Sequence, residues 1–270
     1  MDKSGREALR GKKLFLLDMD GTVYLDETLF DGSKDLLSYI RSIGGRAIFL
    51  SNNSSRGTEA YIAKLARMGI AAGPEDFVTS ADATVDYLER TYQKTDLIYV
   101  CGTESLKKML RDAGFCLCET ADEAVKLVLL GYDTELTYKK LTDCCKLLNR
   151  GKDYLATHPD LVCPVSYGYA PDCGSVINML ETATGRRPEI IGKPKPEMVF
   201  LAMKRTGFSP EETLVIGDRL YTDIACGVHA GVDTAFVLSG EGVPSDIEKY
   251  GIHPDFIFEN IRELADCVQV

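Results

Sequence analysis

The chain carries Asp18-Met19-Asp20-Gly21-Thr22 directly after a short apolar segment, residues 13–17. In a loop that leaves a strand, residues i and i+2 can face the same pocket, so Asp18 and Asp20 can act together. One carboxylate can attack phosphorus as a covalent nucleophile, and the other can serve first as an acid and then as a base. Gly21 allows the chain to turn sharply. By itself, the run is also compatible with an acidic turn or a calcium-binding type of loop.

Apolar segments of strand length alternate with helical periodicity at both ends of the chain. Residues 13–17 and 46–50 are predicted to be buried strands, and the leucines and isoleucines between them recur at helical spacing. Residues 213–216 and 234–238 repeat the pattern near the C-terminus. Such alternation predicts an α/β fold with a parallel sheet. We expect the residues before Leu14 to form a solvated lead-in.

The middle of the chain has its own alternation of strands and helices. The predicted strands are residues 97–100, 126–130 and 154–156, and the predicted helices are residues 104–113, 137–149 and 175–184. Compact domains tolerate insertions of this size at exposed loops. We therefore predict a core formed by residues 1–82 and 186–270, interrupted by a large inserted α/β unit, residues 83–185.

Three predicted strands end in acidic or hydroxyl residues, namely Asp18, Ser51 and Asp218. In open parallel sheets the ligand lies outside the carboxyl ends of the strands, so these residues are expected at one crevice. Asp20 and Asp223 add two more carboxylates. Crowded carboxylates repel one another, whereas Mg²⁺, which prefers oxygen ligands, would hold them together. Asp223 is also compatible with an ordinary helix cap.

Neutral and cationic groups complete the candidate site. Ser51 and Asn52 offer hydrogen-bond donors for phosphoryl oxygens, although both residue types also form turns. Lys193, in Gly192-Lys193-Pro194, can offset the charge on a transferring phosphoryl group. The alternative is a lysine in a surface loop with no role in the site.

The order of these pieces resembles the haloacid dehalogenase superfamily. Its motifs appear here as the run from Asp18 to Thr22, then Ser51, then Lys193, then Gly217-Asp218-Arg219-Leu220-Tyr221-Thr222-Asp223. Asp20 fits the phosphatases and phosphomutases of that superfamily better than its dehalogenases or cation pumps. The long insert and the run Leu50-Ser51-Asn52-Asn53 resemble the NagD or para-nitrophenyl phosphatase branch.

The resemblance implies a Rossmann-like core with a large α/β cap of the C2 type. By position, Asp18 would be the nucleophile and Asp20 the general acid and base. The residues assigned to phosphate binding are Thr22, Ser51, Asn52 and Lys193. The residues assigned to Mg²⁺ are Asp18, Asp20 through its backbone carbonyl, Asp218 and, in support, Asp223.

The inserted unit contributes substrate contacts in this interpretation. His158 precedes Pro159-Asp160, where many relatives carry asparagine, and this departure leaves specificity open. The candidate substrate contacts are His158, Asp172, Cys173, Gly174 and Ser175. A surface or hydrogen-bonded histidine without a catalytic role is the alternative for His158.

Composition and net charge limit the kinds of partner that this chain can bind. A net charge of −10 argues against a nucleic-acid backbone as the main ligand, since that affinity needs clustered lysine and arginine. No apolar run reaches the roughly 20 residues of a membrane span, and there is no signal-peptide pattern. Nine cysteines without paired zinc spacing are expected to be reduced thiols in a cytoplasmic protein. An exposed surface on the inserted unit would be compatible with a homodimer.

The predicted function is Mg²⁺-dependent hydrolysis of small phosphomonoesters through an aspartyl-phosphate. The substrates would be nucleoside monophosphates, sugar phosphates or similar metabolites, with para-nitrophenyl phosphate as an artificial substrate. Two alternatives remain open: a phosphomutase or phosphotransferase of the same superfamily, and a non-catalytic relative that binds a phosphorylated ligand.

Overall fold

The structure is a computed structural model that describes residues 3–55, 57–165 and 167–269. Within these residues the chain forms two compact units. The core unit comprises residues 3–51, 58–78 and 193–269. The inserted unit comprises residues 52–55, 57 and 79–192.

The helices and strands follow one another in three parts of the chain. The first part contains α1 (Lys3–Arg10), β1 (Leu14–Leu17), β2 (Tyr24–Leu25), β3 (Thr28–Leu29), α2 (Ser33–Ser42), β4 (Arg46–Ser51), α3 (Glu59–Arg67) and β5 (Phe77–Thr79). The second contains α4 (Ser80–Thr91), β6 (Leu97–Cys101), α5 (Glu104–Asp112), β7 (Cys116–Cys118), β8 (Val125–Leu130), α6 (Tyr138–Asn149), β9 (Asp153–Ala156), β10 (Val162–Val165), β11 (Gly168–Pro171), α7 (Cys173–Thr184) and β12 (Glu189–Ile190). The third contains α8 (Glu197–Thr206), β13 (Thr213–Gly217), a π-helical turn (Leu220–Ile224), α9 (Ala225–Ala230), β14 (Asp233–Val237), α10 (Asp246–Tyr250), β15 (Phe256–Phe258) and α11 (Ile261–Gln269).

The boundaries of the inserted unit differ from those predicted. The predicted boundary at residue 83 falls inside α4, and a continuous helix belongs to one unit. The predicted end at residue 185 precedes β12, which pairs with β9 in the sheet of the inserted unit. The inserted unit therefore begins at Thr79 and extends to Gly192, and it also includes the short segment that follows Ser51.

The core unit is built on a six-stranded sheet in the order β15-β14-β13-β1-β4-β5. β1 lies in the middle and pairs in parallel with β13 on one side and β4 on the other. All four residues of β1 are fully buried, as expected for a strand covered on both faces. The predicted α/β fold with a parallel sheet is confirmed.

Before Leu14, Lys3–Arg10 form α1, where a solvated lead-in was expected. Leu9 on this helix is fully buried and belongs to the same hydrophobic cluster as Leu264 and Val268 of α11. The prediction was wrong because the polar residues around Leu9 conceal its apolar contacts in the sequence.

The inserted unit has its own sheet and its own hydrophobic core. Five strands lie in the order β12-β9-β8-β6-β7, and their pairings are parallel. Val128, Leu130 and Leu147 are fully buried in a cluster that α6 and α7 help to cover. A separate antiparallel hairpin, β10 with β11, precedes α7.

Helix α4 was absent from the predicted elements. Thr79 caps it, since its hydroxyl accepts from the Asp82 amide at 3.1 Å and its own amide donates to the Asp82 carboxylate at 2.9 Å. Thr79-Ser80-Ala81-Asp82 matches the capping-box pattern, a signal that was available in the sequence.

Among the described residues, no helix combines the length and the apolar character that a membrane crossing requires.

The first prediction concerns Gly32, which precedes α2 with φ of 88°. A Cβ at this position would collide with the backbone of Arg262. We expect Gly32→Ala to lower the free energy of unfolding by about 3 kcal/mol, from backbone strain and overlap together. The urea midpoint and its slope measure this change. Gly44→Ala is the matched control, because Gly44 has φ of 70° but open space around it. Equal losses in the two variants would contradict the prediction.

Candidate active site

The carboxyl ends of adjacent strands bring the predicted residues together in the core unit. Asp18 follows β1, Ser51 ends β4 and Asp218 follows β13, and these three strands are neighbours. The Asp18 amide donates to the carbonyl of Ile216 at 2.9 Å, so the loop starts while the backbone is still held by the sheet. The backbone of Asp18 is thus held by the sheet at the end of β1.

Three carboxylates lie close enough to share a cation. Asp18, Asp218 and Asp223 each offer an oxygen within 4.8 Å of the others. Asp218 and Asp223 are buried, and Asp18 is 18% exposed at its side chain. A set of buried carboxylate oxygens suits a hard divalent cation such as Mg²⁺ or Ca²⁺.

Crowding and burial change the proton affinity of these groups. Burial, followed by the negative charge of Asp223, raises the pKa of Asp18 well above its usual range, while Lys193 acts in the opposite direction. The same two causes raise the pKa of Asp218 to about 6. Carboxylates that resist ionisation in this way are stabilised in their charged form by a bound cation.

Lys193 places a positive charge of the protein among these carboxylates. Its ammonium donates to Asp18 Oδ1 and to Asp223 Oδ1, both at 2.6 Å, and to the Leu50 carbonyl at 3.3 Å. Burial disfavours the charged ammonium, but Asp18 and Asp223 outweigh this effect and raise the pKa of Lys193. The side chain is therefore a buried, protonated lysine.

Asp223 is oriented by the π-helical turn that carries it. Its second oxygen accepts from the Arg219 amide at 3.1 Å, so the side chain caps the turn while it also pairs with Lys193. A Cβ at Gly217 would collide with the Asp223 side chain. The interpretation as a helix cap and the interpretation as a site residue are therefore compatible.

Asp218 is enclosed by two loops that are distant in sequence. Its Oδ2 accepts from the Glu241 amide at 2.8 Å, and its Oδ1 accepts from the Thr22 hydroxyl at 3.4 Å. A Cβ at Gly21 or Gly240 would collide with this carboxylate. The contribution to the site of the loop that contains Gly240 and Glu241 was missed by sequence reasoning. Its position after β14, the neighbour of β13, was the available signal.

Asp20 differs from the other carboxylates because 60% of its side chain is exposed. The Lys64 ammonium lies 3.4 Å from its Oδ1. Despite this exposure, desolvation by the surrounding protein raises the pKa of Asp20, and Lys64 opposes the shift. An accessible carboxyl group of this kind can exchange a proton with a substrate. Lys64 was another residue that sequence reasoning missed.

The predicted phosphate ligands Ser51 and Asn52 lie in different units. The Ser51 hydroxyl is 3.1 Å from that of Tyr61 in the core unit. The Asn52 amide donates to both oxygens of Asp160 at 3.2 Å in the inserted unit. Their contact with phosphate stays a prediction, as does that of Thr22, which is fully buried.

The candidate substrate residues of the inserted unit surround the start of α7. His158 is fully buried, with its ring nitrogens 3.6 Å from oxygens of Asp160 and Asp172. Asp172 accepts from the Cys173 amide at 2.5 Å, and Cys173 is fully buried.

The two residues that follow have equally close contacts. A Cβ at Gly174 would collide with the Pro159 carbonyl, and the Ser175 hydroxyl donates to the Leu161 carbonyl at 2.6 Å. The five candidates therefore form one tightly bonded corner of the inserted unit. A direct contact between any of them and substrate stays a prediction.

Comparison with known families gives two matches along the chain. A model described as haloacid dehalogenase-like hydrolase matches residues 15–116, and a second, HAD-hydrolase-like model matches residues 190–264. An acid sugar phosphatase from Staphylococcus aureus is 32% identical over 251 residues, which cover 93% of this chain and 96% of the relative.

Solved structures agree with these matches. A 4-nitrophenylphosphatase from Thermotoga maritima is 40% identical, with a TM-score of 0.89 over 97% of this chain and 99% of that chain. A glycerol phosphate phosphatase from Mycobacterium tuberculosis, solved with magnesium, is 29% identical, with a TM-score of 0.88 over 95% of this chain and 77% of that chain. A putative NagD protein is 37% identical, with a TM-score of 0.86 over 94% of this chain and 98% of that chain.

These similarities extend over both units and agree with the motif order of the sequence. The resemblance to the NagD and para-nitrophenyl phosphatase branch is confirmed, and so is the assignment as an enzyme. The chain belongs to the haloacid dehalogenase-like hydrolase family and is a phosphoric-monoester hydrolase among its phosphatases.

Proposed function

We propose that the protein hydrolyses small phosphorylated metabolites, in a Mg²⁺-dependent reaction, through an aspartyl-phosphate on Asp18. The observation that carries this proposal is the Asp18 carboxylate, which lies against the Lys193 ammonium at the end of a fully buried strand. The names of the relatives support the substrate class, because they include an acid sugar phosphatase and a glycerol phosphate phosphatase.

The first step is transfer of the phosphoryl group to Asp18. A carboxylate oxygen of Asp18 bonds to phosphorus while the bond from phosphorus to the leaving oxygen breaks. Asp20 gives its proton to that leaving oxygen, so the product departs as an alcohol. In the second step Asp20 takes a proton from water, which attacks phosphorus, releases inorganic phosphate and restores the Asp18 carboxylate.

Other residues bind the phosphoryl group and hold the nucleophile. Lys193 favours the ionised form of Asp18 and orients it, and its charge offsets that of the phosphoryl oxygens. Ser51 and Asn52 are proposed as further phosphate ligands. Thr22 is also proposed as a phosphate ligand, and its hydroxyl helps to hold the Asp218 carboxylate in place.

The donor set of the core unit fits Mg²⁺. Asp18 and Asp218 would hold it with their carboxylates, Asp20 with its backbone carbonyl, and Asp223 would support the site through Lys193 and Arg219. The bound cation would neutralise charge that develops on the phosphoryl oxygens. The relative from Mycobacterium tuberculosis was solved with magnesium and also with calcium, in agreement with a divalent site of oxygen ligands.

Replacement of the nucleophile gives the second prediction. We expect Asp18→Asn to reduce Mg²⁺-dependent release of phosphate from 4-nitrophenyl phosphate by about a thousandfold or more, because an amide cannot form the intermediate. Asp26→Asn is the matched control. Asp26 is exposed in the loop that follows, with φ of 52°, which asparagine tolerates. Turnover near the wild-type rate in Asp18→Asn would remove this residue from the mechanism.

The third prediction separates the metal site from catalysis. Mg²⁺ that binds only the folded protein stabilises it by about 2.7 kcal/mol when the free Mg²⁺ concentration is a hundred times Kd. This stabilisation raises the melting temperature. We expect Asp218→Asn to abolish this increase in melting temperature. Without metal, the variant should melt no lower than the wild type, because one member of a repelling cluster has lost its charge. Persistence of the Mg²⁺-induced increase would show that the cation binds elsewhere.

The fourth prediction tests the acid role of Asp20. We expect Asp20→Asn to lower kcat/KM much more for 4-methylphenyl phosphate than for 4-nitrophenyl phosphate, because the more basic leaving oxygen depends more on a proton donor. The parameter kcat/KM reports the steps up to formation of the aspartyl-phosphate, so slow hydrolysis of the intermediate does not mask the effect. Equal losses on the two substrates would count against the acid role.

A further inference from the structure

Lys64 projects from α3 onto the loop that carries the catalytic carboxylates. Its ammonium lies 3.4 Å from Asp20 Oδ1 and 3.9 Å from the centroid of the Tyr24 ring. Only 21% of the side chain is exposed. A cation over an aromatic face at this distance is attracted to the ring, and partial burial strengthens the attraction. The ammonium is thus fixed from two sides.

Tyr24 gives this contact a rigid base. The residue is fully buried, and its carbonyl accepts from the Gly21 amide at 2.8 Å. Asp20 and Tyr24 also form an isolated bridge, so the loop folds back on itself immediately after the catalytic pair. Lys64 therefore touches both ends of one compact turn.

The Asp20 side chain needs such a contact more than its neighbours do. With 60% of the side chain exposed, packing restrains its rotamer little, whereas Asp218 and Asp223 are each 1% exposed. A general acid works only when its proton lies within hydrogen-bond reach of the leaving oxygen. A small displacement of a catalytic group can cost about a hundredfold in rate.

We propose that Lys64 is a positioning residue that holds the Asp20 carboxyl group in the rotamer from which it protonates the leaving oxygen. The inference rests on the proposed function, which gives Asp20 that role. It gives Lys64 a role distinct from that of Lys193, since Lys193 contacts Asp18 and Asp223 whereas Lys64 contacts Asp20.

The test compares substituted phenyl phosphates of similar size, namely 4-nitrophenyl, phenyl and 4-methylphenyl phosphate, in the full-length protein with Mg²⁺. We expect Lys64→Met to lower kcat/KM for 4-methylphenyl phosphate about tenfold more than for 4-nitrophenyl phosphate. Lys64→Arg, which keeps the charge, should recover most of the loss. In an Asp20→Asn background, Lys64→Met should add little, because the two residues act as one unit.

Arg67→Gln is the matched control for loss of a cation from α3. Arg67 pairs with Glu27 at 2.9 Å, with both side chains about 60% exposed, and we expect no dependence on the leaving group in this variant. Lys64→Gln serves as a second variant if Lys64→Met melts below the assay temperature.

Four results would overturn the inference. Equal losses across the series would indicate a structural role or a contact with the phosphoryl group, and wild-type values would indicate no role. Additive losses in the double variant would show that Lys64 acts independently of Asp20. If Asp20→Asn itself shows no dependence on the leaving group, the proposed function fails along with the inference. If Asp20→Asn shows the dependence and Lys64→Met does not, only the inference fails.

Discussion

The arrangement of the core unit depends on one buried ammonium group, that of Lys193. Asp18 and Asp223 approach each other where little solvent screens their charges, and the 2.6 Å contacts from Lys193 to both make this possible. Removal of one partner from a buried group of charges usually costs far more than the loss of a surface ion pair. The same lysine also donates to the Leu50 carbonyl, so it connects the ends of β1 and β4 with the turn after β13.

Much of the core unit could be predicted because its signals are local. The buried strand before Asp18 has an uninterrupted apolar pattern, and the carboxyl ends of parallel strands must meet at one edge. That rule alone brought Asp18, Ser51 and Asp218 to the same place. The order of the motifs then distinguished a nucleophile from an acidic turn.

The remaining features depend on contacts between distant parts of the chain. Nothing near Gly240 indicates that a side chain there would collide with Asp218. Lys64 belongs to an ordinary amphipathic helix, and the sequence does not indicate that its ammonium reaches Asp20. Likewise, α1 appears polar in sequence, although Leu9 enters the core. Such features are set by tertiary packing, which residue patterns do not encode.

The central position of β1 has a consequence for biosynthesis. Leu14 pairs in register with Thr213, so β1 has an open edge until the chain has been made beyond that residue. The sheet of the inserted unit uses only strands from Leu97 to Ile190, which leave the ribosome earlier. Domains fold as units in the order in which they emerge. Asp18 is therefore made before the inserted unit but reaches its working environment only after β13 has been made and has paired with β1.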